Sequence, residues 1–128
     1  MTTVETALGP VAITDLGPTL MHEHIVTRSP GVQENWPHLW DRAAILLIAE
    51  RKMSDLHGRG IRTIVDLTTV DLGRDIGLIV DVARRARVHV IVATGVWWMP
   101  SATSAFTAST RWLTCSSATS PTASGRVA

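Results

Sequence analysis

The chain of 128 residues has one cysteine, Cys115, so an internal disulfide is excluded and a reducing compartment is favoured. Nothing around Cys115 would activate a thiolate, and it receives no catalytic role. No apolar run approaches the roughly 20 residues of a membrane span. The first twenty residues carry Glu5 and Asp15 and lack the apolar segment of a signal peptide. Charge of one sign is missing too: the formal net charge is +1 at pH 7, which gives no field to draw nucleic acid or an anionic membrane. The arginines are scattered or gathered on one helix, without the interleaved aromatics of a single-strand binder. These absences predict a cytoplasmic protein that partners neither nucleic acid nor membrane.

What is present is ordinary for a globular chain, with 45% hydrophobic and 18% charged residues. A length of 128 residues suits one domain burying roughly 68% of its unfolded surface. Residues 4–20 read as short extended pieces broken by Gly9-Pro10 and Gly17-Pro18, a small hairpin at most. Thr19 to Val26 is the first clear strand. The loop "TRSPGVQENWPHL" follows, kept irregular by Pro30, Gly31 and Pro37.

From about Leu39 to Leu56, Trp40, Ala43, Ala44, Leu47, Ile48 and Leu56 fall near helical spacing, and Gly58 and Gly60 end the helix. "IRTIVDLTTV" is β-branched and reads as a second strand. Ile76, Ile79, Val82, Ala83 and Ala86 mark one face of a second helix, with Asp81 and Arg85 an i,i+4 pair on its outside. "VHVIVATGVWW" is a third strand, apolar enough to be covered on both faces.

Strand, helix, strand, helix, strand is the signature of an α/β fold with parallel βαβ units. Two architectures fit: an open doubly wound sheet, or the first three units of a (β/α)8 TIM barrel. No Gly-rich phosphate loop stands at either strand-to-helix turn, which argues against nucleotide binding. After Pro100 the chain changes character. Residues 101–128 hold 19 Ser, Thr or Ala among 28, and the last acidic residue of the whole sequence is Asp81. The expected division is therefore 1–100 as the folded part and 101–128 as a disordered tail.

The stretch "TLMHEHIV" puts His22 and His24 at i and i+2, which on a strand places them on one side, roughly 6.5 to 7 Å apart along it. Met21, Glu23 and Ile25 then face the other side. Two imidazoles on one side can close on a single metal ion if other elements complete the ligand set. The pair lies towards the carboxyl end of its strand, where α/β barrels keep their active sites. The other reading of H-x-H is two satisfied histidines near a strand end that bind nothing.

"TLMHEHIV", "TIVDLTTVDLGRD" and "VIVATGVWW", in that order and spacing, resemble the phosphotriesterase family of the amidohydrolase superfamily, which includes the phosphotriesterase-like lactonases. The resemblance runs from about Val4 to Trp98. It implies a (β/α)8 barrel with a two-metal centre, zinc or a related divalent ion such as cobalt, iron or nickel. It makes His22 and His24 ligands of the buried metal and places Trp97, with Trp98 beside it, at the substrate pocket. The implied reaction is attack by a metal-bridging hydroxide on a lactone carbonyl or a phosphotriester phosphorus, and complete relatives are often homodimers. Asp66 and Asp71, at or just beyond the second strand, could brace a metal ligand, but a helix cap or a loop salt bridge with Arg74 is the expected role. Trp36 and Trp40 are expected to pack.

A complete barrel takes about 200 to 400 residues, and the bridging lysine, two later histidines and an aspartate that the resemblance implies have no counterpart here. The tail contains no His, Asp, Glu or Lys. The expectation is a truncated, inactive family member with two unpaired sheet edges. Out-of-frame reading of a GC-rich gene yields such an Ala-, Ser- and Thr-rich stretch, which places the expected frameshift near residue 99.

Overall fold

The computed structural model describes residues 1–96. Its first element is the small hairpin expected of residues 4–20: Thr3–Thr6 (β1) pairs antiparallel with Gly9–Ala12 (β2). The turn between them places Gly9 at φ +114°, open to glycine alone among common residues. Thr6 closes it by donating its hydroxyl to the Gly9 carbonyl at 2.6 Å.

Three parallel strands then form the sheet, β3 (Thr19–Glu23), β4 (Thr63–Asp66) and β5 (His89–Val92), in the order β3-β4-β5. A one-turn helix, α1 (Val32–Asn35), sits in the loop after β3, and α2 (Arg42–Gly58) returns the chain to β4. Helix α3 (Ile76–Ala86) makes the second crossover. The alternation read from the sequence is the observed one. Among the described residues no helix is long and apolar enough to cross a membrane.

Both long helices start on an aspartate. Asp41 accepts from the Ala44 amide at 3.0 Å and Asp75 from the Leu78 amide at 2.9 Å, each cap contributing about 1 kcal/mol. The core lies between helices and sheet: Leu46, Ala49 and Met53 of α2, Leu78, Ile79, Val82, Ala83 and Ala86 of α3, and the cross-strand partners Ile64 and Val90. Each fully buried aliphatic side chain here stabilises by about 1.5–3 kcal/mol.

The buried face of α2 differs from the one its spacing predicts. Leu46, Ala49 and Met53 are inside, while Leu47 and Ile48 remain 63% and 57% exposed and Ala43 and Ala44 are exposed as well. Residues 43–49, "AAILLIA", are apolar at every position, so the local pattern carries no phase and packing against α3 selects the stripe. On α3, Leu78 is buried and Ile76 is exposed, reversing one expected assignment. Asp81 and Arg85 do not pair with each other by hydrogen bond. Asp81 takes Arg42 at 2.6 Å and Arg85 takes Glu50 at 3.3 Å, so both bridges join α3 to α2. Trp40 packs against the core as expected, whereas Trp36 is exposed.

The sheet edges also depart from expectation. The outer edge of β5 is not bare: Val90 accepts from the Ala7 amide at 2.7 Å, which fastens the hairpin to it. The outer edge of β3 has no strand beside it among the described residues.

Candidate functional site

Strand β3 is not a regular strand. Leu20 stands beside Ile64 and Glu23 beside Asp66, so three steps on β3 answer two on β4. That extra residue is a bulge, and it reverses the alternation midway. Without it, His22 would follow Leu20 onto the helix side. With it, Glu23 takes the side of Leu20, Ile64 and Asp66, and His22 and His24 turn to the opposite face.

The two imidazoles share that face, with ring centroids 5.5 Å apart and planes at 73°. Both are exposed, on the face away from the helices and at the carboxyl end of the strand. Two imidazoles bound to one tetrahedral zinc at about 2.0 Å have centroids about 5 Å apart. The spacing of this pair fits two ligands of one divalent ion. Among the described residues no group of three or more His, Cys, Asp or Glu gathers to hold a metal.

Behind the pair, β3 ends earlier than the sequence predicts because a side chain takes over from the sheet. The Leu67 amide still donates to the Glu23 carbonyl at 2.9 Å. Two residues on, the Ile25 amide donates to the Asp66 carboxylate at 3.2 Å. The second oxygen of Asp66 accepts from the Thr68 amide at 2.8 Å. Asp66 is wholly buried, and an unpaired carboxylate there would be costly; two amide donors compensate it. Thr68, equally buried, lies with its Oγ1 3.0 Å from Nδ1 of His24. Asp66 therefore acts on two neighbours at once, fixing the chain just after His24 and the threonine that touches its ring.

The loops flanking the site are joined by Arg28. Its amide donates to the Leu72 carbonyl at 3.0 Å and its Nε to the Gly73 carbonyl at 3.1 Å. The guanidinium lies 4.5 Å from the centre of the Trp40 ring, 3.6 Å from Asp75, and reaches Gln33. Gly73 holds φ +71°, and a Cβ there would stand 2.5 Å from the Arg28 carbonyl oxygen. Only glycine lets the two loops come this close.

Asp66 and Asp71 are loop organisers, and neither caps a helix. Asp71 accepts from the Thr69 hydroxyl at 2.5 Å, just beyond β4. Arg74 donates to the Ala93 carbonyl. Burial pulls the Arg74 guanidinium below its usual pKa, and the charge of Asp66 opposes that pull, so the expected link to Arg74 is electrostatic for Asp66. Glu23 contributes its carbonyl to the sheet, accepting from the Leu67 amide. His57 lies in the last turn of α2 against Arg62, and His89 opens β5 at the opposite end of the sheet. Trp97, Trp98 and the tail 101–128 lie outside the described residues. The bulge and the role of Thr68 were not read from the sequence. The D-x-T spacing of Asp66 and Thr68 was the available signal, because an aspartate commonly accepts from the amide two residues on.

A sequence model of the Phosphotriesterase family matches residues 2–116. The chain is 40% identical over 98 residues to a phosphotriesterase homology protein of Mycobacterium tuberculosis, covering 76% of this chain and 30% of that protein. It is 34% identical over 83 residues to an aryldialkylphosphatase of Saccharolobus solfataricus, covering 65% of this chain and 26% of that protein. Among solved structures, the phosphotriesterase from Mycobacterium tuberculosis superposes with a TM-score of 0.72 at 39% identity, over 76% of this chain and 30% of that one. The chain thus spans about 30% of the length of those Mycobacterium proteins.

Proposed function

We propose a function from one premise: this chain belongs to the phosphotriesterase family. Its β3-α2-β4-α3-β5 unit is the amino-terminal part of a (β/α)8 barrel, one of the two architectures that the alternation of elements allows and the one that the family resemblance implies. The proposed activity is divalent-metal-dependent hydrolysis of a lactone or a phosphotriester. His22 and His24 contribute two of the metal ligands. The observation that carries this reading is the imidazole pair at the end of β3, His22 within it and His24 just beyond it, with ring centroids 5.5 Å apart, at the strand end where barrel enzymes hold their reacting groups.

A bound divalent ion would lower the pKa of water and polarise the electrophilic oxygen of the substrate. The chain's own part is to hold the two imidazoles in place. The bulge turns them to one face, Asp66 pins the backbone behind His24, and Arg28 ties the flanking loops together. Two histidines suit zinc, cobalt, nickel or iron, with zinc our assignment. Trp97 and Trp98 would border the substrate. The name aryldialkylphosphatase carried by the Saccharolobus relative supports a phosphotriester; the family resemblance supports a lactone equally.

A second reading follows from the ligand count. The described residues offer no third metal-binding side chain beside the pair, so the 128-residue chain by itself is a weak metal binder without turnover. The test is to assay the purified chain on paraoxon and on a simple lactone with added zinc or cobalt. No turnover above background is expected. Metal-dependent turnover removed by His22→Ala would show that the chain completes a site on its own or by association.

A further inference from the structure

We propose that Thr68 is a positioning residue for His24: its hydroxyl accepts the Nδ1–H of the imidazole, so that Nε2 is the nitrogen offered to a divalent ion. The proposal deepens the metal reading of His24 and rests on it. A neutral imidazole ligates only through its unprotonated nitrogen, and the hydrogen bond made by the other nitrogen decides which that is.

The geometry of His24 fixes which nitrogen can reach the open face, and the direction of its bond to Thr68 follows the tautomer. Nδ1 lies 3.0 Å from Oγ1 of Thr68, a residue with 0% exposure, so this nitrogen is directed into the protein. Nε2, across the ring, is the one left for the open face shared with His22.

The hydroxyl is itself held in place. The Thr68 amide donates to one oxygen of Asp66 at 2.8 Å, and the other oxygen takes the Ile25 amide at 3.2 Å. One buried carboxylate thus fixes both the partner of the ring and the backbone that carries the ring. A free histidine in water favours the Nε2–H tautomer, which presents the wrong nitrogen. With the Thr68 hydroxyl as the acceptor, as proposed, that preference is reversed.

The test is a long-range 1H–15N spectrum of the full 15N-labelled chain, alone and with zinc, for the unsubstituted protein, Thr68→Val and Thr68→Ser. In the unsubstituted chain His24 is expected to carry its proton on Nδ1. Thr68→Val should shift it towards Nε2–H and weaken zinc binding by about tenfold to a hundredfold; Thr68→Ser, which keeps the hydroxyl, should restore both. A His24 already in the Nε2–H form in the unsubstituted chain overturns the proposal, whatever the variants do. So does a Thr68→Val protein with unchanged tautomer. An Nδ1–H tautomer that depends on Thr68, with no zinc response at His22 or His24, instead overturns the metal reading and leaves the positioning role standing.

Discussion

The Ile25 amide donates to the Asp66 carboxylate at 3.2 Å, so the residue after His24 is fastened to the end of the neighbouring strand by a side chain. The sheet ladder alone would not hold it there. β3 ends at Glu23, its last residue paired with Asp66, and beyond it the carboxylate supplies the acceptor that the strand no longer offers.

Replacing that carboxylate should therefore be costly. In Asp66→Asn one of the two accepting oxygens becomes an NH2 group facing an amide donor. A loss of about 1–3 kcal/mol is expected for the buried polar group left unsatisfied. Urea unfolding monitored by circular dichroism measures it, and a loss below about 0.5 kcal/mol would mean that Asp66 does not clamp both amides.

Gly73 is a second point of close approach. Gly73→Ala would force an L residue to φ +71° and set its Cβ 2.5 Å from the Arg28 carbonyl oxygen. The expected destabilisation is about 1–3 kcal/mol. In heteronuclear spectra the amides of Arg28 and Gly73 should move most. A stability equal to that of the parent would show that the two loops separate freely.

The face of α2 makes a paired prediction. Leu46→Ala, inside the core, should cost about 2–5 kcal/mol. Leu47→Ala, 63% exposed, should change stability by no more than about 0.5 kcal/mol. Thermal unfolding of the two variants side by side decides it, and equal losses would restore the face read from the sequence.

Asp81 gives a pH dependence. The hydrogen bond from Arg42 holds its carboxyl below the ordinary aspartate value, the Arg42 charge adding to the effect and partial desolvation opposing it. The folded-state pKa is lower than the unfolded one, so this stabilisation is present above the ordinary aspartate range and disappears as pH falls through the depressed value. A side-chain carboxyl titration followed by NMR should show Asp81 with a low midpoint that rises when Arg42→Ala is introduced. The pair is exposed, so added salt should shrink the difference.

Much of this arrangement was legible in the sequence because it rests on local signals. The alternation of strands and helices, the end of α2 at Gly58 and the span of α3 follow from periodicity and glycine placement. The H-x-H pair also follows from a local rule, since i and i+2 on a strand share a side. What escaped is non-local. The bulge in β3 shows only in its register with β4. The buried stripe of α2 is chosen by α3, because residues 43–49 are apolar all round. Asp81 and Arg85 satisfied a helix-spacing rule yet took partners on the adjacent helix, which sequence distance hides. Thr68 lies 44 residues from His24, and the D-x-T spacing around it signals the bond to Asp66 but not the contact with the ring.

The central claim is that His22 and His24 act together on one divalent ion. The measurement that tests it most directly is a zinc titration of the full chain followed by the imidazole resonances of all five histidines, repeated on His22→Ala and His24→Ala. The account predicts that His22 and His24 shift together and saturate at one equivalent, while His38, His57 and His89 stay in place. Either substitution should weaken binding at least about tenfold, as expected when one of two ligands is lost. Zinc shifts spread over all five histidines, or a pair that responds no differently once one member is removed, would contradict it.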